Sequence, residues 1–416
     1  MRIYRFFAWA AALAAFAPAG SMAAAPIKIG FPIPLSGATA LYGVPVLKGA
    51  ELAVQQINAK GGVLGRKLVL LPRDSKASAD EAVRLSRELI IKDNVDFLVG
   101  TLTSAEAPAV STVANANKIV FIAPTSETTR LTDPTHINPY VFRVTSNTTV
   151  EGLASAELMA KWKNVKTVAT TSPDYAYGRD VTAAFIKYLK KLRPDIKIVD
   201  EEWPKLGQPD FTPFITAQMS KKPDAVYSSL FAGDFATFVK EAKPLGYFKA
   251  IHNRYINSAA VGSTDETKAL GNNYPYGVLV NTFDPVIWTG SPEPPAHKKY
   301  IAALSAFTHQ KYPSSLSIQG YIAIEALADG IRKAHSTNSD KVAKALLGMT
   351  FDTPIGERTL TVSSHETLSP EFWGIMVKEA AYPIAIMKDP KLLPTRAQLT
   401  AAVGENPFAV TAKNMD

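Results

Sequence analysis

Apolar and polar positions change their period along the first part of the chain. Ile27, Ile29, Phe31 and Ile33 fall at alternate positions, which predicts a strand. Pro32, Pro34 and Gly37 turn it into a loop. From Pro45 the period becomes helical: Leu47, Ala50, Val54 and Ile57 line one face, Pro45 suits a first turn, and Gly61 and Gly62 suit the stop. Leu68 to Leu71 then read as a buried strand. Strand, helix, strand favours a parallel pair with a right-handed crossover.

The alternation continues. Ser78 or Asp80 caps a helix carrying Ala82, Leu85 and Leu89, and strands are predicted at 96–100, 119–122 and 140–144 around a weak helix at 105–116. A second series begins near Thr145-Ser146. Its helices are predicted from Asn147 or Thr148 to Trp162 and over 180–192, 211–220 and 235–245. Its strands fall at 167–171, 196–199, 225–230, 255–257 and 278–280. Helices at 300–312, 320–334 and 341–347 and strand-like runs at 359–362 and 372–377 close the chain. The expected class is α/β, with two doubly wound halves.

The opening residues differ from the rest. Arg2 and Arg5, an apolar run over 6–17 and the small residues Ser21, Ala23 and Ala25 have the form of a cleaved signal peptide over 1–25. The run is too short to span a bilayer. A length of 416 residues exceeds one core and implies two domains. The chain has no cysteine, which excludes thiolate metal sites, thiol nucleophiles and an N-terminal lipid-modified cysteine. The net charge is +8, two of it from Arg2 and Arg5. The positive groups are dispersed, the densest lying near ends of predicted helices, so no nucleic-acid surface is expected.

No enzyme motif stands out. The chain lacks GxSxG, HExxH and GxxxxGK[ST], and the GGVLGRK run at 61–67 follows a helix rather than preceding one, so it reads as a helix stop. The six histidines are scattered and read as single surface or loop residues, and no metal or cofactor is expected. What remains are polar loops after strands, at 35–43, 101–106, 124–129, 172–178, 229–234 and 257–261. In open α/β sheets ligands sit there.

The order IKIGFPIP, LSGATALYG, KGAELAVQQINAKGGVLGRKLVLL resembles the opening of the Leu/Ile/Val-binding family of periplasmic solute receptors, and the likeness extends with gaps to about Met387. The resemblance implies a receptor that captures a solute by hinge closure and delivers it to the membrane permease of an ATP-binding-cassette importer. A ligand-sensing regulator and a secreted hydrolase are the competing readings. The implied fold is two lobes: residues 26–144 plus 282–368, and 145–281 plus 369–387, with 388–416 an unplaced tail.

The resemblance also implies site residues. The family's carboxylate-binding serine lines up with Ser104. Its threonine lines up with Glu127, a departure, with Thr125 and Ser126 beside it in the loop and Ser126 the alternative donor. A pocket tyrosine matches Tyr177 and a lid tyrosine Tyr42. Where amino-acid receptors place an acid for the ligand ammonium, Asn257 and Ser258 are both neutral. A non-amino carboxylate, aromatic ones included, or an amide is therefore an alternative to a branched-chain amino acid. Glu127 is the other source of negative charge.

Overall fold

The computed structural model describes residues 24–132, 137–395 and 397–398. The leader up to Ala23, His136 and the tail beyond Gln398 lie outside them. The first series runs β1 (Ile27–Ile33), α1 (Ala40–Ala59), β2 (Leu68–Asp74), α2 (Ala79–Ile91), β3 (Phe97–Val99), α3 (Glu106–Ala116), β4 (Phe121–Ala123) and β5 (Val141–Arg143). The second runs α4 (Thr148–Ala160), β6 (Thr167–Thr171), α5 (Ala176–Leu192), β7 (Lys197–Glu202), α6 (Thr212–Ser220), β8 (Ala225–Ser228), α7 (Ala232–Ala242), α8 (Tyr247–Ala250), β9 (Tyr255–Asn257), α9 (Thr264–Leu270) and β10 (Leu279–Thr282). Then come α10 (Pro295–Thr308), α11 (Ser317–Ala334), α12 (Ser339–Leu346), β11 (Thr350–Thr353), β12 (Gly356–Thr359), β13 (Glu371–Val377) and β14 (Ile386–Leu393).

Two sheets organise these elements. One has five parallel strands in the order β2-β1-β3-β4-β5. β1 is buried at nearly every position, because helices cover both faces of a parallel sheet and leave no solvent side for its alternation. The other has seven strands in the order β14-β13-β10-β9-β8-β6-β7. β13 runs antiparallel to β10, and β14 antiparallel to β13. β14 thus takes Lys388 to Leu393, which the sequence reading left without a place, onto the edge of this sheet. The chain passes between the sheets three times: after β5, after β10 and before β13.

The returning helix α11 packs on α1 at glycines. A side chain at Gly49 would strike the Ser317 carbonyl, and one at Gly320 the Val46 carbonyl, so the two backbones touch only because neither position carries a Cβ.

The structure corrects several expected boundaries. α1 starts at Ala40, not Pro45, so Tyr42 and Gly43 belong to the helix rather than the loop. The amides of Tyr42 and Gly43 each reach the Thr39 carbonyl at 3.0 Å, which closes a first turn before the proline. Pro45 then removes one internal bond without ending the helix. α5 likewise starts at Ala176 and absorbs Tyr177 and Gly178. The short α8, α9 and β11 were not expected, being too brief for a periodic signal, and the strand expected over 359–362 lies earlier, as β12, meeting that run only at Thr359.

The histidines are also more structured than expected. His309 and His335 end α10 and α11 in the left-handed conformation. His365 is buried and stacked on Phe142. His297 is fully buried on α10, with Nε2 2.6 Å from Asp284 Oδ1 and Nδ1 2.7 Å from Glu293 Oε1.

Candidate ligand-binding site

The loops at the carboxyl ends of both sets of strands meet in one cleft. Asp74, at the end of β2, holds the loop after β1 by accepting from the Leu35 amide at 2.8 Å and the Ser36 hydroxyl at 2.6 Å. The loop after β3 is set by a capping box. The Thr103 hydroxyl accepts from the Glu106 amide at 3.3 Å, and the Glu106 carboxylate accepts from the Thr103 amide at 2.9 Å. Ser104 sits inside that box. Its oxygen accepts from the amides of Glu127 at 3.3 Å and Thr128 at 3.0 Å, which ties the loop after β3 to the loop after β4. The Thr125 hydroxyl completes the tie by donating to the Thr101 carbonyl at 2.9 Å.

The opposite wall comes from the second sheet. Asn281 on β10 accepts from the Ala260 amide at 2.7 Å and donates to the Ser258 carbonyl at 2.7 Å, fixing the loop after β9. The Tyr177 hydroxyl donates to that same carbonyl at 3.4 Å. Tyr42, Phe231 and Tyr177 form a continuous aromatic wall, with ring centroids 5.7 and 6.1 Å apart. The Tyr42 hydroxyl crosses the cleft to the Ala259 carbonyl at 2.9 Å.

Together these elements enclose a cavity of about 40 Å³. That holds about three water molecules. Of the residues expected from the sequence, Tyr42, Ser104, Thr125, Glu127 and Tyr177 line the cavity. Ser126, Asn257 and Ser258 do not. Asn257 spends its side chain on the Leu230 carbonyl and the Ala259 amide, and Ser258 pairs with the Tyr227 hydroxyl at 2.9 Å. Ser126 is fully buried, its hydroxyl without a partner. Leu102, Tyr175, Phe231 and Phe283 also line the cavity and were not singled out. Tyr175 and Phe231 lie within loops flagged as polar, where composition drew attention away from the rings.

Behind Glu127 lies a group that the sequence did not reveal. One carboxyl oxygen from each of Glu127, Glu151 and Glu371 lies within 4.8 Å of those of the other two, and all three side chains are buried. Glu151 sits in the first turn of α4 and Glu371 opens β13. In sequence, Glu151 looks like an ordinary acid favoured by a helix N-terminus. Burial, reinforced by the Glu371 charge, pushes the Glu127 carboxyl well above the usual carboxylate range. Burial and the Glu127 charge do the same to Glu151, and burial raises Glu371 to about 8. Burial thus disfavours the ionised form of all three.

The profile of the periplasmic binding proteins matches residues 26–380. The chain belongs to the periplasmic binding protein family. A Leu/Ile/Val-binding protein of Rhizobium johnstonii is 30% identical over 348 residues, covering 83% of this chain and 89% of that one. A Leu/Ile/Val-binding protein homolog of Brucella melitensis is 32% identical over 361 residues, covering 85% and 91%. Among solved structures, a solute binding protein of an ABC transporter from Rhodopseudomonas palustris BisB5, in complex with 3,4-dihydroxybenzoic acid, superposes with a TM-score of 0.78 at 23% identity, covering 88% of this chain and 96% of that one. A branched-chain amino acid transporter substrate binding protein of Streptococcus pneumoniae, in complex with isoleucine, gives 0.74 at 21% identity, covering 87% and 99%. These periplasmic binding proteins share the two-sheet fold. Among the described residues, no helix is long and apolar enough to cross a membrane.

Proposed function

We propose that this periplasmic binding protein captures a small solute between its two sheets, by hinge closure, and delivers it to the membrane permease of an ABC importer. It binds without chemical conversion. The observation that carries the reading is the cavity itself: Tyr42, Ser104 and Glu127 face it from the first series, and Tyr177, Phe231 and Ala259 from the second. The three crossings after β5, after β10 and before β13 are the hinge. The aromatic wall takes an apolar body. The Ser104 oxygen accepts two amides, so its proton is free to donate to a polar head. Branched-chain amino acids and aromatic carboxylates, named for the relatives and fold neighbours, are the solute classes to test first.

A thermal-shift panel of amino acids, aromatic carboxylates, amides and short-chain acids on the purified protein identifies the class. Solute at about a hundred times its dissociation constant stabilises the fold by about 2.7 kcal/mol. Small-angle scattering at saturation should then show compaction, and an unchanged radius of gyration would refute closure. Export is tested by N-terminal sequencing of periplasmic protein. A start near Ala23 to Ala25 supports it, and retained Met1 refutes it.

A further inference from the structure

We propose that the cavity beside the hinge, walled by Arg358, Thr367 and Ser369, binds a small organic monoanion: a carboxylate or sulfonate on a short apolar body. The site is separate from the solute cleft and does not rest on the receptor reading.

Arg358 carries the argument. It reaches from the β11–β12 hairpin to the place where the chain crosses between the sheets. Its Nη1 donates to the Val144 carbonyl at 2.9 Å, just after β5, and to the Ser369 hydroxyl, just before β13. Those bonds clasp two of the three crossings. The N–H groups of Nε and Nη2 have no acceptor among the described residues, and no carboxylate there forms an ion pair with this guanidinium. Arg143, the buried arginine on β5, is by contrast paired with Glu366. Burial pushes the Arg358 guanidinium down to about 10, and the Glu371 charge acts in the opposite sense. Burial also raises Glu371 to about 8, which disfavours the ionised form that would offset the arginine. A cation taken out of water without a partner is costly. A bound anion supplies the partner, and the guanidinium fork suits the paired oxygens of a carboxylate or sulfonate.

The cavity is the second observation. Its volume of about 320 Å³ falls in the range of small-molecule sites. It shares no lining residue with the solute cleft. Thr367 and Ser369 are buried in its wall. Their side-chain oxygens lie 2.6 Å apart, so one hydroxyl proton fills the bond between them. The other proton of the pair has no acceptor among the described residues and is available to an anion. Ile355, Leu392 and Pro394 supply an apolar part of the lining.

Charge and lining together set the ligand class. One guanidinium matches one negative charge, which favours a monoanion over a phosphate dianion. The apolar residues favour a short hydrocarbon body over an inorganic ion. Glu357, exposed on the same hairpin, also lines the cavity and opposes an anion there. Removing its charge should therefore strengthen binding.

The test uses the full chain with butanoate and butane-1-sulfonate. Butanamide and butylammonium are the neutral and cationic counterparts, and sodium chloride controls for ionic strength. Thermal shift and calorimetry read affinity. Both anions should bind at least tenfold more tightly than either counterpart, and Arg358→Gln should cost them tenfold or more. Glu357→Gln should tighten both by about threefold. That residue is exposed, so its variant reads the site even if Arg358→Gln fails to fold. Equal anion affinity in the wild type and Glu357→Gln would put the anions elsewhere, the solute cleft included, and overturn the proposal. Equal binding of butanamide and butanoate would overturn charge recognition. A response no larger than that to sodium chloride, or none to any compound, would also overturn it. None of these outcomes touches the receptor reading, which the solute panel tests by itself.

Discussion

The Tyr42 hydroxyl, on the first turn of α1, donates to the Ala259 carbonyl on the loop after β9, 2.9 Å away across the cleft. The bond can exist only when the walls are together, so it favours the closed arrangement. A neutral hydrogen bond of this kind contributes about 1 kcal/mol. Tyr42→Phe keeps the ring on Phe231 and removes that bond. Calorimetry should show about a fivefold loss of solute affinity, and scattering a larger radius of gyration without solute.

Ser104 holds two loop amides and, in the proposed reading, donates to the solute, and its replacement should show both. Its oxygen holds two buried amides, so Ser104→Ala leaves the Glu127 and Thr128 N–H groups without an acceptor. Each such loss costs about 1–3 kcal/mol. The variant should melt earlier even without solute, and bind it more than tenfold less tightly. Wild-type affinity in a folded Ser104→Ala protein would remove Ser104 from the site.

Arg143 and Glu366 are a buried pair. The Arg143 Nε donates to Glu366 Oε2 at 2.9 Å, while the same guanidinium holds the Thr132 hydroxyl and the Thr128 carbonyl. Breaking such a pair from one side strands a buried charge. Arg143→Met should lower the unfolding free energy by about 3–5 kcal/mol, measured by urea titration. Changing Glu366→Leu in the same protein should recover part of that loss.

Stability should fall as pH rises from about 5 to 8. Burial raises Glu371 from 4.5 to about 8, so across that interval the folded chain keeps a proton that the unfolded chain gives up. Raising pH then favours unfolding, by about 1.4 kcal/mol per pH unit for each such proton. Glu371→Gln removes one of them. Melting curves against pH should show a shallower decline in that variant, and an unchanged slope would mean that Glu371 is ionised in the folded state.

Gly320→Ala should destabilise far more than a helix-interior alanine normally would. Alanine is the better helix former, so an isolated helix would gain from the change. Here the added methyl meets the Val46 carbonyl of α1. Circular dichroism should show a lower melting temperature with helix content retained at low temperature.

Local periodicity was enough to predict two series of strands and helices, because a parallel sheet covered by helices writes its burial into short apolar runs and 3.6-residue stripes. Ser78 and Asn147 do cap α2 and α4, since a cap is made with residues two or three positions away. The loops after strands were equally legible, and the family resemblance singled out Tyr42, Ser104, Thr125, Glu127 and Tyr177, which do line the cavity. The limits of α1 and α5 could not be read, because a proline or a polar loop composition misstates where the first turn closes. That Asn257 and Ser258 do not line the cavity could not be read either, for a related reason. Their partners, Leu230, Ala259 and Tyr227, are set by the pairing of β8 with β9, which no single segment encodes. The acid cluster is the clearest case. Glu127 could be named from the sequence, but Glu151 and Glu371 lie far from it in the chain, and each alone resembles a solvated carboxylate. Only the packing of the two sheets buries them side by side, and it is that burial which raises their pKa.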